Sequence, residues 1–259
     1  MSSSNEQQHT TSDSGRQARG QTNSHQGENV DPAEIAKFEA LASRWWDRNS
    51  EFRPLHDINP LRANFIDQHS PVAGRRLVDV GCGGGILAEA MAQRGAEVTG
   101  IDMGEAPLTV ARIHQLESGL RVDYRHATAE SLASEAPASF DVVCCLEMLE
   151  HVPDPASVVT ACARLARPGA SLYFSTINRN PKAFAFAIVG AEYLLKLLPA
   201  GTHEYSKFIK PSELAQWIRE AGLLLREMTG LTYNPITREY RLHPRDVSVN
   251  YMLRAEKPA

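Results

Sequence analysis

The chain has 259 residues, 42% of them hydrophobic, which suffices for one sizeable core and favours a single domain with an extension over two domains. A formal net charge of −4 leaves acidic and basic residues nearly balanced, which excludes the global positive field that recruits nucleic acid. The four cysteines, Cys82, Cys144, Cys145 and Cys162, form no CxxC pair, and two sit side by side in an apolar run, so they read as buried free thiols of a reducing, cytosolic chain.

Residues 1–30 are rich in Ser, Gln, Asn and Gly, and such a composition buries too little surface to offset the entropy of ordering, so a disordered tail is expected. It holds no apolar core of the kind a secretory signal needs; as a mitochondrial presequence it is poor, because Glu6, Asp13 and Glu28 offset Arg16 and Arg19. Order is expected to begin at Asp31, where Asp-Pro-Ala-Glu supplies an N-cap, a proline in the first turn and Glu34 three residues after the cap. Ile35, Phe38, Leu41, Ala42 and Trp45 then recur at helical spacing. A second helix is expected after Pro60, through Leu61, Phe65 and Ile66.

From residue 76 the pattern alternates between strand and helix: RLVDVG, GILAEAMAQRG, EVTGID, PLTVARIHQLESG, VDYRHA, FDVVCCLE, a helix from about Pro155 to Ala166, and ASLYFSTI. Such alternation predicts parallel strands joined by crossover helices. After an apolar stretch, a helix opens at Pro211 and ends at Gly222, and the last two strands read LLLREMTGLT and VSVNYMLRAE.

VDVGCGGGIL puts Gly81, Gly83 and Gly85 between a strand and a helix, where a doubly wound sheet lets a ligand approach the backbone. Asp102 ends the next strand, about where a carboxylate meets ribose hydroxyls, with Met103 beside it. A dinucleotide is the rival ligand, since Gly83, Gly85 and Ala88 satisfy a loose GxGxxA. Against it stands Asp79, whose carboxylate would repel a pyrophosphate yet suits a ligand bearing an ammonium and a sulfonium.

An acidic strand end followed by GxGxG resembles the class I S-adenosylmethionine-dependent methyltransferases over residues 75–180. That resemblance implies a Rossmann-like α/β fold with a seven-stranded, mostly parallel sheet whose last strand is antiparallel. It also places Gly81 against the methionine part of the cofactor, Asp102 on its ribose and Leu146 beside its ring system. Where the class often has an Asp after the third strand to hold the adenine amine, ATAESL here offers Thr128.

CLEMLEHVPD follows the fourth strand, and in a helical segment Glu147, Glu150 and His151 would converge at i, i+3 and i+4. Three readings stand: a divalent cation site, in which magnesium would favour the oxygens; a histidine base without metal; or a polar cap on the following segment. Further on, Ala183 to Pro199 carries no charge except Glu192 and Lys196, yet is shorter than the ~20 apolar residues a spanning helix needs. It is expected either to pack on the core or to form a lid over an apolar substrate that touches a membrane surface through residues 183–198.

Taken together, EIAKFEALASRWWD, FRPLHDINPLR, TGIDMGEAPL, EMLEHVPDP, STINRNPKA, VGAEYLLK, GTHEYSKFIKP, TGLTYNPI and VNYML are similar to the ubiquinone biosynthesis O-methyltransferases over nearly all of the chain after residue 31. The resemblance implies a bifunctional enzyme that methylates a polyprenylated catechol (2-polyprenyl-6-hydroxyphenol) early in that pathway and 3-demethylubiquinol late. It implies S-adenosylmethionine as cofactor, with Arg62 on its methionine carboxylate, and magnesium at Glu147, Glu150 and His151. It leaves open whether the chain works alone or in a ubiquinone biosynthesis complex, and it fits a cytoplasmic protein held peripherally at the membrane. A quinone C-methyltransferase and a non-catalytic lipid-binding module are the alternatives.

The expected organisation is thus a tail over 1–30 and one domain over 31–259. Within it lie N-terminal helices (31–70), a cofactor-binding core (75–180), an apolar lid insertion (181–211) and a C-terminal helix with strands (212–259).

Overall fold

The computed structural model describes residue 1 and residues 29–185, 204–234 and 236–259. The expected tail therefore lies almost wholly outside the described residues, as does the apolar stretch from residue 186 onward. Asn29, two residues before Asp31, is already anchored: its side chain donates to Asp154 O at 2.7 Å and to Glu130 Oε1 at 3.0 Å, and accepts from Asp154 N at 2.8 Å.

Helix α1 (Pro32–Leu41) opens as its sequence demands, with the Asp31 carboxylate accepting from Ala33 N at 2.9 Å. A 3-10 turn, Ala42–Arg44, leads toward helix α2 (Arg53–His69). This helix begins seven residues before Pro60, on Pro54 in its first turn, and Pro60 lies inside it. A proline there forfeits one helical hydrogen bond, and the burial of Ile58, Ala63, Phe65 and Ile66 against the sheet offsets the loss.

The core follows as β1 (Arg76–Val80), α3 (Ile86–Gln93), β2 (Glu97–Asp102), α4 (Glu105–Ser118), β3 (Val122–His126), α5 (Ala129–Glu135), β4 (Phe140–Leu146), α6 (Pro155–Leu165) and β5 (Ala166–Ile177). The short α7 (Pro181–Ala183), α8 (Pro211–Glu220), β6 (Leu224–Asn234), β7 (Glu239–His243) and β8 (Asn250–Glu256) complete it. The strands form one sheet in the order β3-β2-β1-β4-β5-β8-β6-β7. Strands β1 to β5 pair in parallel; β8 is antiparallel to β5 and β6, and β7 is antiparallel to β6.

Among the described residues the sheet has eight strands, not the expected seven. The addition is β7, a hairpin partner of β6 that buries Tyr240 and Leu242 only partly. Its two apolar residues alternate with a glutamate, an arginine and a histidine, a strand period that runs over only five residues and so gives a weak signal in the sequence.

Helices cover both faces, which is why the central strands are apolar throughout. Val143 and Cys145 of β4 face the core under α5, α6 and α8, whereas Val142 and Cys144 face the one under α2, α3 and α4. All four cysteines are free and buried. Between β1 and β4 the strand order reverses, and a cleft opens at their carboxyl ends, where open α/β sheets bind ligands.

The N-terminal segment straps across this cleft. Trp45 stacks on Phe52 with ring centroids 4.1 Å apart, and its indole lies on the glycine loop, so that a Cβ at Gly84 would stand 2.3 Å from the ring. Trp46 donates from Nε1 to Gly84 O at 2.9 Å and stacks on His114 at 3.4 Å. Crowding of this kind costs about 1–3 kcal/mol in a packed interior. We therefore expect Gly84→Ala to destabilise the chain in urea unfolding by about that much, and by at least ~1 kcal/mol less when Trp45→Ala is already present. Equal costs in the two backgrounds would show that the contact carries no energy.

Candidate active site

The cleft has a volume of about 1170 Å³, its open mouth included. Its lining gathers Asp79, Gly81 and Gly83 from the first strand and loop, Asp102 and Met103 from the second strand end, and Leu146 and Glu147 from the fourth. His151, Arg62 and the N-terminal residues Asp31, Glu34, Phe38 and Trp45 close it. Thr128 also lines it, and its hydroxyl caps α5 by accepting from Ser131 N at 3.1 Å.

Gly81, Gly83 and Gly85 all have left-handed backbone angles, with φ of 75°, 52° and 88°, which a side chain would strain. The loop they form is pinned from the neighbouring strand. Asp102 accepts from Gly83 N at 2.8 Å on one oxygen and from Gly104 N at 2.7 Å on the other, with the Met103 N–H also turned toward it. Burial pushes the Asp102 carboxyl up, and those N–H groups pull it back down.

Arg62 is the anomaly of the site: a guanidinium 4% exposed, with a hydrogen bond to Asn59 Oδ1 at 3.3 Å and a buried Nε that has no partner among the described residues. Burial lowers its pKa, while the charges of Glu147 and Asp79 support the cation. A buried arginine with an unused donor beside a cleft is arranged to receive a carboxylate. Asp79 is pushed up to about 7 by burial, against the pull of Arg62 and with a further push from Asp102.

The acidic cluster after β4 differs from its expected form. Glu147 leaves the strand with φ 54°, so the segment is not helical at that point, and only Leu149–His151 form a 3-10 turn. Each of the three side chains is committed to its own protein partners. Glu147 accepts from Ser175 Oγ at 2.6 Å and Asn250 Nδ2 at 2.8 Å. Glu150, buried and pushed up to about 7 by desolvation and by Glu147, accepts from Thr176 Oγ1 at 2.8 Å. His151 Nδ1 meets Glu34 Oε2 at 2.9 Å. Among the described residues no group of three or more His, Cys, Asp or Glu side chains is placed to hold a metal ion. Magnesium does not fit Glu147, Glu150 and His151 in this arrangement, because the left-handed turn at Glu147 sends them to separate partners.

Glu34, which the sequence marks only as part of a helix start, lines the cleft and meets His151. It is 5% exposed, and its hydrogen bond to His151, then those to Lys37 and Lys207, hold its carboxyl well below the usual range against the opposing effect of burial. With Nδ1–H donating to that carboxylate, His151 keeps Nε2 as an acceptor. Phe38 packs edge-on against the imidazole, with centroids 5.0 Å apart.

The cofactor-binding residues expected from the sequence, Arg62, Asp79, Gly81, Gly83, Asp102, Met103 and Leu146, all line this one cleft, and Gly85 caps α3 just behind it.

The family described as "Methyltransferase domain" matches residues 78–174. The chain is 69% identical over 229 residues to the ubiquinone biosynthesis O-methyltransferase of Stutzerimonas stutzeri (strain A1501), covering 88% of this chain and 98% of that one. It is 68% identical over 231 residues to the protein of that name from Pseudomonas aeruginosa (strain UCBPP-PA14), covering 89% and 99%. Among solved structures it is similar to a magnesium protoporphyrin IX methyltransferase (ChlM) from Synechocystis PCC 6803 with bound SAH, with TM-score 0.58, 20% identity, and 78% and 83% of the two chains covered. The [4+2]-cyclase SpnF is as similar, with TM-score 0.58, 20% identity, and 78% and 81% covered. Likeness at that level shows the fold alone, and a fold that houses a cyclase does not by itself choose a reaction.

The buried carboxyls give the chain a pH signature. Asp79 and Glu150 bind protons more tightly when folded, near 7, than at their ordinary 3.8 and 4.5, so the stability they contribute is full below about pH 4 and lost as pH rises through about 7. Glu34 acts oppositely, and its contribution is lost only as pH falls below its ordinary 4.5. The urea midpoint of the chain without ligand should therefore drop between about pH 5 and about pH 7.5, and Asp79→Asn should shrink that drop.

Proposed function

This chain belongs to the ubiquinone biosynthesis O-methyltransferase family, and from that premise we propose that it methylates catechol-type hydroxyls of polyprenylated ubiquinone precursors, with His151 as general base. The reading takes 2-polyprenyl-6-hydroxyphenol and 3-demethylubiquinol as its two acceptors. The observation that carries the assignment of the base is the Glu34–His151 pair, which faces the same cleft as the glycine loop, Asp79 and Asp102.

The chain is an S-adenosylmethionine-dependent enzyme, and the residues present fit that cofactor. The unpaired Arg62 Nε suits its carboxylate, and Asp79 suits its ammonium. The Asp102 carboxylate suits ribose hydroxyls, and the glycines admit a close approach to the backbone. When bound, it supplies a methyl group on a positively charged sulfur, open to in-line displacement.

The chain's own groups have to make the acceptor oxygen nucleophilic. A phenol of pKa about 10 is ionised to about one part in a thousand at pH 7, which withholds roughly 4 kcal/mol if the phenolate must attack. His151 Nε2 takes that proton, Glu34 stabilises the resulting imidazolium at Nδ1, and the anion of Glu34 is itself secured by two lysines. In this reading Glu147, held by Ser175 and Asn250 on the cleft wall, uses a remaining lone pair to accept a hydrogen bond from the second hydroxyl of a catechol. Trp45, Phe38 and the rest of the strap keep water from the reacting atoms.

A polyprenyl substrate partitions into a bilayer, and residues 183–198, apolar except for Glu192 and Lys196, are the part of the chain we assign to contact with that surface. Among the described residues no helix is long and apolar enough to cross a membrane. The reading is of a cytoplasmic enzyme attached peripherally, and Ile188→Asp should lower its cosedimentation with anionic liposomes. Unchanged binding would assign the contact elsewhere.

With labelled cofactor and a short-chain catechol analogue, His151→Ala should reduce kcat about 100- to 10,000-fold with little change in cofactor affinity, and Glu34→Gln should reduce it in the same direction but less. Arg62→Leu should do the reverse, weakening cofactor binding in calorimetry by about 100-fold. Retention of kcat in His151→Ala would remove His151 as the base.

A further inference from the structure

Glu34 draws its third partner from far along the chain. Lys207 Nζ stands 2.9 Å from Glu34 Oε1 and 3.1 Å from Asp31 Oδ2, with Glu204 Oε2 at 3.6 Å, although 173 residues separate Lys207 from Glu34. Lys207 ends the 3-10 turn Tyr205–Lys207, between β5 and α8, and that turn is tied to the sheet immediately after it. Phe208 is 1% exposed, Ile209 N donates to Ile177 O at 3.0 Å, and the hydroxyl of the buried Tyr251 donates to Ile209 O at 3.0 Å. The ammonium is thus delivered from a fixed backbone. Lys37, the other cation on Glu34, also meets Oε1 at 2.9 Å, but it comes from the same helix and its side chain is 49% exposed against 30% for Lys207.

Glu34 is a carboxylate with a 6% exposed side chain, and a buried anion without a firm counter-ion either takes up a proton or swings toward water. Both outcomes would free the imidazole it orients. Lys207 holds Oε1 and leaves Oε2 to meet His151 Nδ1, so the two oxygens divide the work between anchor and base. We infer that Lys207 is a positioning residue for methyl transfer, setting the Glu34 carboxylate so that it fixes the orientation of His151. The inference rests on His151 being the base. It makes the segment after the apolar stretch part of the catalytic apparatus through a residue that touches neither cofactor nor acceptor.

The test is a kinetic cycle on the full-length enzyme with labelled S-adenosylmethionine and a short-chain catechol, using Lys207→Met, Lys207→Arg, His151→Ala and the double variant Lys207→Met/His151→Ala. Lys207→Met should lower kcat about tenfold and leave cofactor Kd and acceptor KM within about twofold, Lys207→Arg should recover most of the loss, and Lys207→Met should cost almost nothing further once His151 is alanine. Circular dichroism and the urea midpoint establish that each variant is folded. Unchanged kcat in Lys207→Met, an undiminished tenfold loss in the His151→Ala background, or an equal loss of cofactor affinity would overturn the inference. If His151→Ala itself retains kcat, the reading of the base fails first; if it loses kcat while Lys207→Met does not, only the role of Lys207 falls.

Discussion

The cleft is organised around one buried positive charge. A guanidinium in a protein interior is tolerable only with carboxylates near it, so Arg62 on α2 obliges the ends of β1 and β4 to bring Asp79 and Glu147 within its field. The same requirement ties α2 to the glycine loop, because Asn59, which accepts from Arg62, also donates to Ile86 O at 3.0 Å in the first turn of α3. The polarity of the site is then the residue of an unfinished account: two acids and one base, with a donor still unused. A zwitterionic ligand completes that set, whereas a wholly anionic one would face Asp79 and Asp102 together.

A second organising element is the strap from Asn29 to Trp46. It supplies the carboxylate for a histidine 117 residues later, and it is held at both ends, by Asn29 on Asp154 and by the two tryptophans on the glycine loop. A Rossmann-like sheet alone offers a cofactor a shelf. The strap and the Lys207 turn add a wall to that shelf and a carboxylate partner for His151.

Much of this was legible beforehand. Glycines with an acid on either side, prolines at helix starts and apolar strand runs all act through local backbone physics, so the core strands, α6, the glycine loop, Asp79 and Asp102 are read directly, whereas Arg62 and Leu146 come only with the family resemblance. Other features depend on contacts that no local pattern encodes. Glu34 looks like any glutamate in a first helical turn, since capping and ion pairing use the same carboxylate. Lys207 looks like any surface lysine. Pro60 suggested a helix start because its cost is local, whereas the burial that outweighs it is tertiary. Helical periodicity implies that Glu147 converges with Glu150 and His151, and its left-handed φ of 54° undoes that convergence.

The packing of Trp45 on Gly83 and Gly84 changes what a glycine motif means in this chain. A Cβ at Gly83 would lie 2.1 Å from the indole and one at Gly84 2.3 Å from it, with only protein atoms in play. Those two positions would stay glycine under selection for folding alone, so their presence in a related sequence is weak testimony that a cofactor is still used. Gly81 is crowded by Met148 instead. The informative comparison among relatives is therefore covariation at position 84: where the residue at position 45 shrinks, a side chain at 84 becomes sterically admissible, whereas 83 stays constrained by its left-handed backbone, so a glycine retained at 84 regardless testifies to the ligand.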